Sequence, residues 1–333
     1  MSGAGFVNAH THVYSGLASL GMPPPRHEPS NFLEILERVW WRLDRAIDAR
    51  ALRAAARLYV VDAARHGTAV LVDHHESPSF IEGSLDVIAD ACQELGMRAV
   101  LCYGATERNG GREEGTRGLA ECRRFIRSNR RPLVRGVVGL HASFTVSDET
   151  IREAGDLCRE LDAVVHVHVS EDRADVADAV RRGYPGPLER LHALGGLPAG
   201  SILAHGVHLD AAQVRKADEL GCWIVQNPRS NRHNNVGYPR ALGESARVAL
   251  GTDGFVSDMR EEMSVLREEA LAHGEDRDVV GRRAAGGPML VAEICDLSTD
   301  GPATPDISDG LMNEIRADAT EAAEILWQRM AEL

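Results

Sequence analysis

Short, β-branched apolar runs alternate with stretches of helical periodicity along almost the whole chain. Eight runs read as strands: Gly5–His12, Thr68–His75, Arg98–Gly104, Val134–Phe144, Ala163–Val169, Ser201–His208, Cys222–Asn227 and Arg247–Thr252. Between the first two, Phe32, Leu36, Val39, Trp40, Leu43 and Ile47 recur at helical spacing. Asn31 precedes them and Glu34 follows it by three residues, which predicts a capped helix. Trp40 and Trp41 read as packing residues of that helix. Repeated βα units imply a parallel sheet. Eight of them argue for a closed α/β barrel, the (β/α)8 or TIM barrel, over an open doubly wound sheet.

The pattern changes after the eighth run. A helix from Ser257 to His273 completes the barrel, and residues 274–310 then read as loop, being rich in Gly, Pro, Asp and Ser without periodicity. A last helix is expected from Leu311 to Met330. Its apolar stripe of Leu311, Ile315, Ala319, Ala322, Leu326 and Met330 must be buried against the barrel or a second subunit. The expected organisation is a catalytic barrel over residues 1–273 and a C-terminal loop and helix extension over 274–333.

Composition narrows the class. A length of 333 residues suits one large domain with an appendage. With 37 Lys+Arg against 50 Asp+Glu, the net charge is −13, so nothing draws the chain generally to nucleic acid or to an anionic membrane. Six cysteines without a Cys-x-x-Cys pair, and a start lacking a charged and then apolar leader, predict a reduced, cytoplasmic protein. No apolar stretch approaches the roughly 18 residues that span a bilayer.

The chemistry sits at the ends of the strand runs. His10 and His12 close the first run, and on a strand such a pair faces one side, so both imidazoles can reach one metal ion. His74 and His75, His141, His166 and His168, His205 and His208, and Asp253 also fall toward C-terminal strand ends, where barrel enzymes build their sites. His166 and His168 share a face, with Glu171 following in the emerging loop. Asp253 ends an apolar strand, and a coordinated metal explains a carboxylate there better than a helix cap does. His74 and His75 point in opposite directions. At most one faces the barrel mouth, and His74 is assigned there as a substrate contact.

His10-Thr11-His12, His168-x-x-Glu171, Ala204-His205-Gly206-Val207-His208 and Gly251-Thr252-Asp253-Gly254 resemble, in order and spacing, the amidohydrolase superfamily in its cytosine-deaminase and chlorohydrolase-like branch. The stretches Glu34–Asp44, Val72–Pro78 and Gly139–Thr145 are similar to those of the SsnA-like aminohydrolases. The resemblance covers residues 5 to 270 or so. It implies one divalent ion, Zn2+ or Fe2+, held by His10, His12, His168 and Asp253. It further implies Glu171 as proton shuttle, His205 as the residue orienting the attacking hydroxide, and Asp253 as ligand and proton acceptor. His141 is implied as a substrate contact, and Asn227 and Arg229, in an Asn-Pro-x-Ser-Asn turn that shapes the pocket, are assigned with it to substrate binding. A role for Arg229 in binding an acidic substrate group is expected on the same ground. Two-metal relatives bridge their ions with a carboxylated lysine at the end of the fourth strand, and the lone lysine here, Lys216, lies on a helix.

The activity so implied is hydrolytic deamination of a small nitrogen heterocycle of purine, pyrimidine, pteridine or triazine type. Loss of chloride or of an amide or imine nitrogen on the same site is the enzymatic alternative. A non-catalytic barrel subunit is the alternative of another class. Relatives usually add a small β-sandwich, neither half of which is evident here, so the barrel flank is expected to be covered in a homo-oligomer.

Overall fold

The computed structural model describes residues 5–295, 297 and 306–333. Nine parallel strands form its sheet: β1 (Phe6–Thr11), β2 (Thr68–His75), β3 (Arg98–Ala105), β4 (Val134–Gly136), β5 (Val138–Ala142), β6 (Val165–Val169), β7 (Ile202–His205), β8 (Trp223–Gln226) and β9 (Val248–Leu250). They run in the order β1-β2-β3-β5-β6-β7-β8-β9, with β4 paired to β3. The fourth expected strand is thus two pieces, broken at Val137, and the sheet still has eight positions around the ring. This is the (β/α)8 barrel expected from the alternation. The ring is shut between its first and last strands by a bridge from Thr11 to Asp253. Backbone bonds from the Thr252 and Asp253 amides to the His10 carbonyl, at 2.9 and 3.1 Å, reinforce it.

Alternation along the strands sorts the core into two layers. Val70, Val72, Val100, Ile202, Trp223 and Val225 belong to one cluster, and their neighbours Leu71, Leu101, Leu203 and Ile224 belong to the larger one under the helices. The inner series Val70, Val72 carries on to His74, and the partners of outward Val165, Val167 and Val169 are His166 and His168. Apolar below and imidazole above is therefore written into strand parity.

Residues 274–310 are not loop throughout, because a helix spans Arg277–Ile294. It contains Gly286, Gly287 and Pro288, the residues that made the segment read as irregular. Those glycines let it sit on the barrel seam: a Cβ on Gly286 would lie 2.0 Å from the Val248 carbonyl oxygen, and one on Gly287 would lie 2.9 Å from the Val7 Cβ. Leu290 and Val291 join the inner cluster with Val7 and Trp223. The remainder of the expected loop lies largely outside the described residues.

The last helix spans Asp309–Glu332, and Ile315, Ala319, Ala322, Leu326 and Met330 are buried, as the stripe required. Their cover is the chain's own barrel layer, including the helix Ala49–Arg65. Trp327 donates to the Leu20 carbonyl at 3.1 Å and Arg329 pairs with Asp48 at 2.7 Å. The stripe is spent within the chain and is not left for a second subunit. Among the described residues no helix is long and apolar enough to cross a membrane.

Candidate metal centre and cavity

At the C-terminal ends of the strands, five side chains from β1, β6, β7 and the residues after β9 converge. Nitrogen and oxygen atoms of His10, His168, His205 and Asp253 lie within 4.8 Å of one another. His12 Nε2 is 2.9 Å from Asp253 Oδ1 and 3.2 Å from His168 Nε2. Each ring is fixed through its other nitrogen. His12 Nδ1 donates to the His74 carbonyl and His168 Nδ1 to the His141 carbonyl, both at 2.6 Å. His10 Nδ1 meets His166 Nε2 at 2.8 Å, and His205 Nδ1 meets Asn231 Oδ1 at 2.9 Å. Such bonds set the tautomer that leaves Nε2 as a lone-pair donor.

The arrangement fits a cation. The Nε2 atoms of His10 and His205 are buried without a partner. Bare lone pairs on His12 and His168 at 3.2 Å, beside a carboxylate, repel unless something positive lies among them. The electrostatics agree: burial works against positive charge at His12, yet the carboxylates of Glu76 and Asp253 outweigh it and favour a cation at this position. Burial likewise opposes ionisation of Asp253, and the neighbouring His10 and His12 rings override it, keeping this carboxyl well below its usual range. Imidazoles with one carboxylate are a donor set that zinc and iron(II) accept.

Backbone strain helps to aim these groups. Ser170, His205 and Asp253 have φ of 51°, 76° and 54°, values that non-glycine residues rarely adopt. Strict alternation would send His205 outward with Leu203. The left-handed turn at its own Cα brings it to the centre instead.

A cavity of about 700 Å3, counting its open mouth, rises from this cluster. Phe32, Leu36, Trp40, Trp41 and Phe144 form apolar walls, and Tyr14, Glu76, Arg108, His141, Glu171, Asp175 and Asn234 supply polar groups. Leu36 to Trp40 form a π turn between the helical segments Phe32–Ile35 and Trp41–Ala46. Both tryptophans, expected to be packing residues, line the cavity. Glu171 Oε2 lies 3.6 Å from His205 Nε2, and burial, then the charge of Asp253, pushes its carboxyl well above the usual range. His141 is held through Nδ1 by Thr145 Oγ1 at 2.9 Å.

Three expected substrate contacts stand elsewhere. His74 is fully buried, with Nε2 on the Leu140 carbonyl at 3.0 Å and Nδ1 on Glu76 at 2.7 Å, so both nitrogens are used inside the protein. Asn227 is fully buried and meets His205 Nδ1 at 3.3 Å, which makes it a support for that ring. Arg229 faces away from the cavity. Its amide donates to Glu262 at 2.8 Å, and its guanidinium bonds Glu262, Glu261 at 2.7 Å and the Val256 carbonyl at 2.7 Å. Its neighbour Ser230 donates to Asp253 Oδ2, so the Asn-Pro-x-Ser-Asn turn braces the carboxylate.

A sequence profile described as the amidohydrolase family matches residues 3–303. The chain belongs to the amidohydrolase family. It is 31% identical over 271 residues to a 5'-deoxyadenosine deaminase of Methanoregula boonei, covering 78% of this chain and 59% of that protein. It is 28% identical over 284 residues to an 8-oxoguanine deaminase of Pseudomonas aeruginosa, covering 80% of this chain and 62% of that one. The chain spans about three fifths of the length of such curated relatives. An adenosine deaminase of Xanthomonas campestris with bound zinc superposes at a TM-score of 0.71 and 25% identity, covering 87% of this chain and 67% of that one. An atrazine chlorohydrolase of Arthrobacter aurescens superposes at 0.75, covering 96% and 87%; at 18% identity it shows the barrel alone.

Proposed function

We propose that this amidohydrolase is a divalent-metal-dependent aminohydrolase that releases ammonia from an amino-substituted heterocycle of purine type, and that it sits with the SsnA-like members of the family. The observation that carries the reading is the convergence of His10, His12, His168, His205 and Asp253 beneath a cavity in which Glu171 stands beside His205. The aromatic walls suit a flat ring, and the deaminases of purines and adenosine derivatives among the relatives favour that class.

A zinc or iron(II) ion held by His10, His12, His168 and Asp253 would supply the Lewis acidity that makes water nucleophilic at neutral pH. Asp253, steadied through Oδ2 by Ser230, can accept a proton from the attacking water. His205 offers Nε2 to the reacting oxygen because its Nδ1 donates to Asn231 Oδ1. Glu171 carries a proton to the departing amino nitrogen. The ring carbon gains an oxygen, its C–N bond breaks, and nitrogen leaves as ammonia. His141, its Nδ1 taken by Thr145, can meet a ring nitrogen or carbonyl with its other nitrogen.

The test pairs metal content with ammonia release. One zinc or iron per chain by elemental analysis is expected, with a loss of about 10²–10⁴ in turnover for Glu171→Gln and little change in ligand binding. Ammonia release untouched by that substitution, or a protein that takes up no metal when supplied with it, would overturn the reading.

A further inference from the structure

Arg108 lies in the loop after β3, and its side chain is 5% exposed. Nη2 pairs with Asp44 Oδ2 at 2.7 Å and Nε donates to Thr106 Oγ1 at 3.1 Å. The guanidinium lies over the Trp41 ring, 4.8 Å from its centroid. Nη1 has no acceptor, nor does the buried indole Nε1 of Trp41. Both side chains border the cavity, and Trp41 also faces the His141 ring at 6.3 Å. Two orphaned donors on one wall are costly in the empty protein and become useful when a ligand brings an acceptor.

Charge selects the kind of acceptor. Asp44 already neutralises Arg108, and Glu76 adds a second carboxylate at the same end of the cavity. A ligand carboxylate would be a third anion with no cation of its own. A carbonyl accepts the same hydrogen bond without that penalty. Resting on the deaminase reading above, we propose that Arg108, backed by Trp41, is a specificity residue that recognises a ring oxo group, so that the substrate is an amino-oxo heterocycle and not a ring bearing the amino group alone.

Adenine, isoguanine and 8-oxoadenine test this, since the latter two add to adenine one ring oxo group and the ring N–H that accompanies it; the Arg108 substitutions separate the two. Their affinities are measured by calorimetry on metal-loaded protein carrying Glu171→Gln, so that turnover does not intervene. At least one oxo ring is expected to bind about tenfold or more tighter than adenine, the scale of a hydrogen bond to a charged donor. Arg108→Met should erase that preference, bringing the ratio of oxo-ring to adenine affinity to about one, and Arg108→Lys, which keeps a cation beside Asp44, should restore part of it. Oxo rings no tighter than adenine, or an Arg108→Met that weakens all three alike, would overturn the proposal. Ammonia release by the unsubstituted enzyme is followed separately: its absence, with the Arg108-dependent preference intact, sinks the deaminase reading and spares this one.

Discussion

Arg229→Met isolates what the contact between Arg229 and Glu262 does. Glu262 is fully buried and Arg229 is 8% exposed, so the substitution strands a carboxylate away from water while its bond from the 229 amide at 2.8 Å survives. Breaking a buried pair from one side costs about 3–5 kcal/mol. The cost must depend on pH. Burial raises the Glu262 carboxyl to about 7 from 4.5, with Arg229 opposing the rise. The native state therefore binds more protons than the unfolded chain between those values, and stability from this group falls as pH rises through them. Without the guanidinium the folded value moves higher still, so the variant goes on losing stability above pH 7, by at most about 1.4 kcal/mol per pH unit. Urea unfolding followed by far-ultraviolet circular dichroism at pH 6 and pH 8 should show a lower midpoint at unchanged slope, with the larger loss at pH 8. Adding Glu262→Gln should recover most of it. Unchanged midpoints combined with weakened substrate binding would refute this account and return Arg229 to the ligand.

Three further outcomes follow from the packing and the cavity. Leu326→Ala in the last helix should cost about 2–5 kcal/mol in urea unfolding, because this fully buried side chain packs on the same chain; a loss below about 1 kcal/mol would mean the helix is not docked there. Asp175, pushed up to about 7 chiefly by burial, loses stability between pH 4 and 7, so Asp175→Asn should gain on the unsubstituted protein across that window, with a ceiling of about 4 kcal/mol; a pH-independent difference would contradict it. Asn231→Ala removes the partner of His205 Nδ1 and should lower turnover about 10–100-fold in protein that calorimetry shows to be folded at the assay temperature; ammonia release within about twofold would contradict it.

The barrel was legible because each strand is a run of β-branched residues with turn signals at both ends. The clustered histidines were legible because i and i+2 on a strand share a face. What could not be read were choices made by distant partners. Gly286, Gly287 and Pro288 look like loop until Val248 and Val7 are brought against them. Arg229 looked available for a ligand because its partner Glu262 is 33 residues away on another helix. Trp41 looked like packing because Arg108, which lies over its ring, belongs to a separate loop. Glu76 was given no role of its own within the stretch Val72–Pro78, although His74-His75-Glu76 at a strand end was itself a signal.

The bridge between Thr11 and Asp253 joins residues 242 positions apart. His10 and His12 stand on one side of that join and Asp253 on the other, so the proposed ligand set is complete only when the last strand has found the first. A folding intermediate lacking β9 would be blind to the ion, however native its other strands. Conversely, an ion bound there acts as a clasp on the ring: it stabilises the shut form alone, by an amount set by its concentration over its dissociation constant. Amide hydrogens along β1 and β9 should then exchange more slowly in the metal-loaded protein, while those in β3, which carries none of these residues, report only global unfolding.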